Sequence, residues 1–322
     1  MSLKKIVESI KRYDNFLITS HISPEGDALG AQLGFYNLVR KMGKRGIIVD
    51  QDTLPYGFDF MPGSKRIRLL DKSCSRIAFD CFVAVDCADL KRTGSVHKLN
   101  QEHKPILNID HHISNSFFGD INWVDPLASS CSEMIYVLHK KLRLAMDKDT
   151  ALVLYTGIMT DTGSFKYSNT SSFTHLAAAE LLKYKIDVAQ VYRKSYADIP
   201  AREARLLLKL LPGMQFFADG RVVWFEFKKE LFAGLKPCVD LADMALSFGR
   251  AIKGVEVVVL FKENLGSAED VRVNLRSSGT VDVNKIASFF GGGGHKTAAG
   301  CTLTGGIRQV EKKVLRKIKE NF

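Results

Sequence analysis

The chain has 322 residues, is 46% hydrophobic and 25% charged, and carries a formal net charge of +11. That length predicts about two domains, and the composition excludes a disordered chain. No apolar run approaches the roughly 18 residues of a membrane span.

The charged N-terminus, Met1 to Glu8, reads as a short amphipathic helix rather than a signal peptide, so a cytoplasmic protein is expected. Six cysteines, Cys74, Cys81, Cys87, Cys131, Cys238 and Cys301, contain no C-x-x-C pair. This excludes an obvious zinc ribbon or disulfide scaffold and reads as scattered reduced thiols. Residues 1–190 hold 24 Lys+Arg against 21 Asp+Glu, whereas residues 191–322 hold 22 against 14. The basic excess in the C-terminal part favours polyanionic partners such as nucleotides or nucleic acid, with a solubility surface as the competing reading.

In chain order, short segments rich in Ile, Val and Phe predict strands at Asn15–Ser20, Gly46–Asp50, Cys81–Asp86, Pro105–Asp110 and Ile121–Val124, with a helix over Ala28–Met42. This alternation predicts a parallel α/β sheet. From about Ser129 the chain turns helical; Ser130-x-x-Glu133 predicts a capping box, and further helices are expected over Ser171–Leu182, Ile186–Tyr196 and Ala201–Leu211. After Pro212-Gly213 come strand-like Arg221–Phe227, Val255–Phe261 and Val271–Leu275. A helix over Val283–Phe290 follows, then Gly291 to Gly294 as a structured loop and a basic terminal helix. The expected organisation is an N-terminal domain 1–185, a helical linker 186–212 and a smaller C-terminal α/β domain 213–322.

Four segments carry candidate chemistry: His21-Ile22-Ser23-Pro24-Glu25-Gly26-Asp27 after the first strand, Asp86 closing Val83-Ala84-Val85, Asp110-His111-His112 closing Ile106–Ile109, and Asp161 in Met159–Phe165. In open parallel sheets ligands bind beyond the carboxyl ends of the strands, so three of these segments point into one crevice. Glu25, Asp27, Asp86 and Asp161 packed together repel one another strongly unless cations neutralise them. Two divalent ions supply that charge. Carboxylate and imidazole donors without a thiolate suit manganese or another first-row ion, and two such ions can clamp the attacking and leaving oxygens of a phosphoryl displacement.

These segments, from His21-x-x-Pro24-Glu25-Gly26-Asp27 to Thr160-Asp161-Thr162-Gly163, resemble the four motifs of the DHH phosphoesterase family. Gly291-Gly292-Gly293-Gly294-His295-Lys296-Thr297-Ala298-Ala299-Gly300 is similar to the glycine-rich motif of its associated substrate-binding domain. The resemblance spans about residues 10–305. It implies that His21, Glu25 and Asp86 hold one metal ion, and that Asp27, Asp86, His111 and Asp161 hold a second, with Asp86 bridging and a metal-bridged hydroxide as nucleophile. His112 would contact the scissile phosphate, and Asp110 would fix ring orientation. Glu25 departs from the family's usual Asp, its carboxylate standing one methylene further from the backbone.

Arg276, Ser277, Gly293, Gly294 and His295 would bind the terminal phosphate or nucleotide end. Consecutive glycines let backbone N–H groups approach an anion, and Arg276 offers a guanidinium fork. Arg92 is a further candidate phosphate contact.

The expected function is a manganese-dependent phosphoesterase. It would act on very short RNA oligonucleotides and 3′-phosphoadenosine 5′-phosphate (pAp) in the cleft between its domains, without membrane partners. The chain offers no membrane segment, sensor-like N-terminal extension or extra strand-holding domain, which favours a stand-alone enzyme. A cyclic-di-AMP phosphodiesterase acting on cyclic or linear dinucleotides would share every motif. A type II inorganic pyrophosphatase would lack the glycine-rich segment, and a non-catalytic nucleotide-binding module would have lost turnover through Glu25.

Overall fold

A computed structural model describes residues 2–232, 240–263 and 270–321; Cys238 lies outside the described residues. The chain divides into two compact units, Met1–Asp198 and Ile199–Phe322. The division falls inside the expected 186–212 linker.

The first unit runs α1 (Ser2–Arg12), β1 (Asn15–Thr19), α2 (Gly26–Lys41), β2 (Arg45–Asp50), β3 (Ile67–Leu69), β4 (Cys81–Val85), β5 (Ile106–Asp110), β6 (Ile121–Val124), α3 (Cys131–Lys141), α4 (Lys148–Asp161), α5 (Ser172–Leu182) and α6 (Val188–Tyr196). The strands form one sheet in the order β3-β2-β1-β4-β5-β6, and every pair is parallel. Side chains of a strand alternate between faces. Cys81, Val83 and Val85 of β4 join Phe16 and Ile18 in one core, while Phe82 and Ala84 join Leu17 and Val49 in the other. Burial on both faces explains why β4 reads as an unbroken apolar run rather than an alternating one.

Helices α2 and α4 cross closely because Gly26, Gly30 and Gly34 recur every fourth residue and so share one helix face. A Cβ added at Gly30 would come within 2.6 Å of the Val153 carbonyl oxygen, and one at Gly26 within 2.5 Å of Thr160 Oγ1. This approach carries Asp27, in the first turn of α2, toward Asp161 at the end of α4. The predicted capping box of α3 is half formed. Ser130 accepts the Glu133 N–H at 3.0 Å, but the Glu133 carboxylate accepts from the Ser129 hydroxyl at 2.6 Å and the Ser129 N–H at 3.3 Å instead of returning to residue 130.

The second unit runs α7 (Ala201–Leu210), β7 (Gln215–Phe217), β8 (Val222–Phe227), α8 (Lys229–Phe232), α9 (Leu241–Arg250), β9 (Val257–Glu263), β10 (Asp270–Ser277), α10 (Val283–Phe289), β11 (Gly293–His295), β12 (Ala298–Thr304) and α11 (Ile307–Lys319). Its sheet has the order β11-β12-β10-β9-β8-β7; β8 and β9 run parallel and the other pairs antiparallel. Residues of α10 and α11 pack on one face, over Val222, Val257, Val259 and Val273. Residues of α7 and α9 pack on the other, over Val223, Phe225, Val258 and Leu260. The expected glycine loop is in part a strand: Gly293–His295 pairs with β12, Gly293 opposite Gly300.

Candidate metal centre

The strand order reverses between β1 and β4, which is where an open α/β sheet leaves a crevice beyond its carboxyl ends. His21 follows β1 and Asp86 follows β4, and they meet there: His21 Nε2 lies 3.5 Å from Asp86 Oδ2. His111, following β5, places its Nε2 3.6 Å from the other oxygen, Asp86 Oδ1, and 3.6 Å from Asp161 Oδ2. Each oxygen of Asp86 therefore faces a different imidazole.

These separations exceed an ordinary N–H···O hydrogen bond. They match the spacing of two donors about 2.0–2.2 Å from a shared tetrahedral ion, which is roughly 3.3–3.6 Å. The ring tautomers agree. His21 Nδ1 lies 2.8 Å from the Ile22 carbonyl and His111 Nδ1 3.4 Å from the Ala128 carbonyl. A carbonyl only accepts, so each Nδ1 carries hydrogen and each Nε2 is turned to Asp86, the arrangement metal-ligating histidines adopt.

The electrostatics show what the residues do without a cation. Burial opposes ionisation of Asp86, yet the attraction of His21, His112 and His111 outweighs it and holds the carboxyl below its ordinary range. Burial and the Asp86 charge push Asp27 up. Desolvation pushes Asp161 up as well, with His111 opposing and Asp27 and Asp86 adding to the rise. Burial works to lower His111, but Asp161, Asp86, Asp27 and Asp110 raise it to about 9. Carboxylates taking up protons and imidazoles keeping theirs is the response of an anionic cluster built for positive charge. The donor set, carboxylate and imidazole around one central carboxylate, fits divalent first-row ions.

Supporting contacts fix these groups. Asp27 accepts the Cys131 N–H at 2.7 Å and the Ser132 N–H at 2.8 Å, so one carboxylate closes the start of α3 from another helix. His112 Nδ1 lies 2.7 Å from Asp110 Oδ1. Asp110 Oδ2 in turn accepts from Asn115 Nδ2 at 2.6 Å. Burial works to lower the His112 pKa, but the hydrogen bond to Asp110 and the charges of Asp86 and Asp110 raise it.

The remaining predicted residues are placed less centrally. Glu25 is exposed at the N-cap of α2 and makes no capping hydrogen bond through its side chain. Among the described residues, the two tight donor groups are Asp27, Asp86, His111 and Cys131, and Asp86, Asp110 and His112; neither contains Glu25. Arg276 Nη2 lies 3.3 Å from Asp243 Oδ1. Ser277 is buried and its hydroxyl accepts from the Gly279 N–H at 3.3 Å. Gly293 and Gly294 are exposed on β11, and His295 is partly buried beside them. The Arg92 carbonyl accepts the Ile22 N–H at 2.7 Å, tying the 90–93 turn to the His21 segment.

Sequence reasoning missed Cys131. Its Sγ lies 3.6 Å from Asp86 Oδ1 and 3.5 Å from the Ile109 carbonyl. The only signal was its place directly after the predicted N-cap Ser130, at the start of a helix, and a cysteine search by C-x-x-C spacing does not see it.

The family model described as "DHH family, N-terminal domain" matches residues 15–158, and the DHHA1 domain matches residues 240–322. The bifunctional oligoribonuclease and PAP phosphatase NrnA of Thermus thermophilus is 30% identical, covering 99% of this chain and 94% of that protein. A probable bifunctional oligoribonuclease and PAP phosphatase NrnA of Streptococcus mutans is 31% identical over 93% of each. The crystal structure of an exopolyphosphatase-related protein from Bacteroides fragilis superposes with a TM-score of 0.89 at 28% identity, covering 99% of this chain and 96% of that one.

Proposed function

The chain belongs to the DHH family, and from that premise we propose that it is a divalent-cation-dependent phosphoesterase that hydrolyses very short RNA oligonucleotides and removes a phosphate from pAp. The observation that carries the reading is Asp86, whose two oxygens face the Nε2 atoms of His21 and His111 at 3.5 and 3.6 Å. The full-length likeness to proteins named for those two activities supports the substrates.

His21 and Asp86 would hold one ion, with Glu25 as an outer contributor, and Asp27, Asp86, His111 and Asp161 a second; manganese suits this donor set. When bound, such a pair makes water a nucleophile near neutral pH and stabilises charge on the phosphoryl oxygens. The protein's own groups do the rest. His112 keeps a proton, held in orientation by Asp110, and passes it to the leaving oxygen. Arg276, Ser277, Gly293, Gly294 and His295 bind the terminal phosphate or nucleotide end, drawing on the basic excess of the C-terminal part. The second unit is the substrate-binding domain of this reading.

The test is a panel of a diribonucleotide, a five-residue RNA, pAp and cyclic-di-AMP, each with Mn2+, beside an Asp86→Ala control. Turnover of the short RNAs and pAp, abolished in the control, is expected. Preference for cyclic-di-AMP would replace the substrate assignment, and binding of all four without turnover would overturn the enzymatic one.

A further inference from the structure

We propose that Cys131 makes this centre a trap for thiophilic divalent ions: a cation such as Zn2+ or Cd2+ is held by Asp27, Asp86, His111 and the Cys131 thiolate, in a closed tetrahedral set. The inference rests on the metal-centre reading above and adds to it a fourth donor and a class of ion.

One ligand atom from each of these four side chains lies within 4.8 Å of all the others. Asp27, Asp86 and Cys131 are buried, Cys131 completely. The Sγ–Oδ1 separation of 3.6 Å between Cys131 and Asp86 is the spacing that a sulfur about 2.3 Å and an oxygen about 2.0–2.2 Å from one tetrahedral ion require. Asp161 approaches His111 to 3.6 Å but stands outside this four-donor group, and its side chain is 31% exposed.

The two donor sets therefore divide by the chemistry of the ion. A harder ion such as Mn2+ uses oxygen and nitrogen donors, draws on Asp161 and leaves the thiol protonated. A thiophilic ion takes the sulfur; as the metal–sulfur bond forms, the thiol proton passes to solvent and no electron is transferred. Four protein donors complete a tetrahedral shell. Zinc sites so closed are structural, whereas catalytic ones keep a position for water, so the thiolate-bound form does not turn over.

The competing account is a small buried residue at the start of α3, its thiol donating to the Ile109 carbonyl. The two accounts differ in a spectrum. Metal-free full-length protein is titrated with Co2+, and bound cobalt is counted by elemental analysis after desalting. The expected result is a near-ultraviolet thiolate-to-cobalt charge-transfer band that one equivalent of Zn2+ displaces. The band is lost in Cys131→Ser and retained in Asp161→Asn, and the serine variant loses affinity for Zn2+ but not for Mn2+. Cobalt bound without the band in the wild-type protein, a measurement that needs no variant, overturns the proposal and leaves the metal centre standing. A band that survives in Cys131→Ser overturns it too. Failure to bind cobalt at all would remove the metal centre itself and this inference with it.

Discussion

Asp86 adopts left-handed backbone, with φ of 56°. That conformation costs energy for a residue with a side chain, though aspartate tolerates it better than most. It turns the carboxylate off the end of β4 so that its two oxygens reach toward elements on both sides. Asp86→Asn keeps the shape but removes the charge that His21 and His111 oppose. Hydrolysis should fall by about a thousandfold or more with every cation, the scale of losing a central electrostatic group; substantial residual kcat would contradict a bridging role.

Glu25 is a contrast, since it is exposed and outside both donor groups. Glu25→Asp should keep or improve kcat/KM, and a large loss would mean that the longer side chain is fitted into the centre. Asp50 adds a pH dependence. It is buried and accepts from Gln32 and, at 3.4 Å each, from Thr19 and the Ser20 N–H. Burial outweighs these bonds and pushes its carboxyl up to about 6. A raised folded-state pKa contributes stability that is complete below the ordinary value near 4 and is lost as pH rises through about 6. The loss is about 3 kcal/mol on the scale of 1.4 kcal/mol per pH unit. Urea midpoints in EDTA should therefore show Asp50→Asn gaining on the natural chain between about pH 4 and 7; a constant difference would mean that the carboxyl is ionised throughout. Asp27, Asp86, Asp110, His111 and His112 stand out in the sequence because they close or follow strong strand patterns. Cys131 closes no strand, and Asp50, which does, takes its meaning from Gln32 and Thr19, neighbours distant in sequence.

Among the elements, five of the six strands of the parallel sheet were legible to within a residue or two: β6 coincides with the predicted Ile121–Val124 and β4 ends one residue before the predicted Asp86. The apolar runs of β1 and β4, buried on both faces, fit no helix period. The three-residue β3 was invisible, because its residues are partly or fully exposed and gain their strand geometry only by pairing with β2. The glycine run hid β11 in the same way. Glycine has low strand propensity, and here pairing with β12 overrides it.

What sequence pattern did not reveal is how tightly α2 and α4 press together over the ligands. A Cβ at Gly157 would land on Ser132 Oγ and come within 2.9 Å of Asp27 Oδ1. Gly157→Ala should destabilise the chain by about 1–3 kcal/mol, as overpacking does, and weaken Mn2+ binding because Asp27 must shift. Gly213→Ala is the comparison: a Cβ there meets nothing within 4 Å and the backbone is not left-handed, so its stability should be unchanged or slightly raised. Equal losses in the two variants, read from denaturant midpoints, would show that the close approach is not what Gly157 serves.

For the whole molecule, charge and texture mark a basic second part and a break somewhere in 186–212. The division lies between Asp198 and Ile199, and the residues that mark it were in view. Asp198 is left-handed with φ of 54°, and Pro200 stands at the N-cap of α7, four residues after α6 ends at Tyr196, where a residue without an N–H cannot continue the earlier helix. Helical texture on both sides masked that break. Each unit has its own apolar cores, and every proposed metal ligand belongs to the first. A cation that binds only the folded first unit stabilises it by mass action, about 2.7 kcal/mol at a hundredfold excess over Kd. For a unit of 198 residues that corresponds to roughly 5–11 °C in Tm. Calorimetry with and without Mn2+ should therefore resolve a transition that rises by this amount and a second that stays where it is. The rising transition should lose its response in Asp86→Asn. A shift of the second transition alone would place the cation in the C-terminal unit and break the link between the strand-end carboxylates and the chemistry.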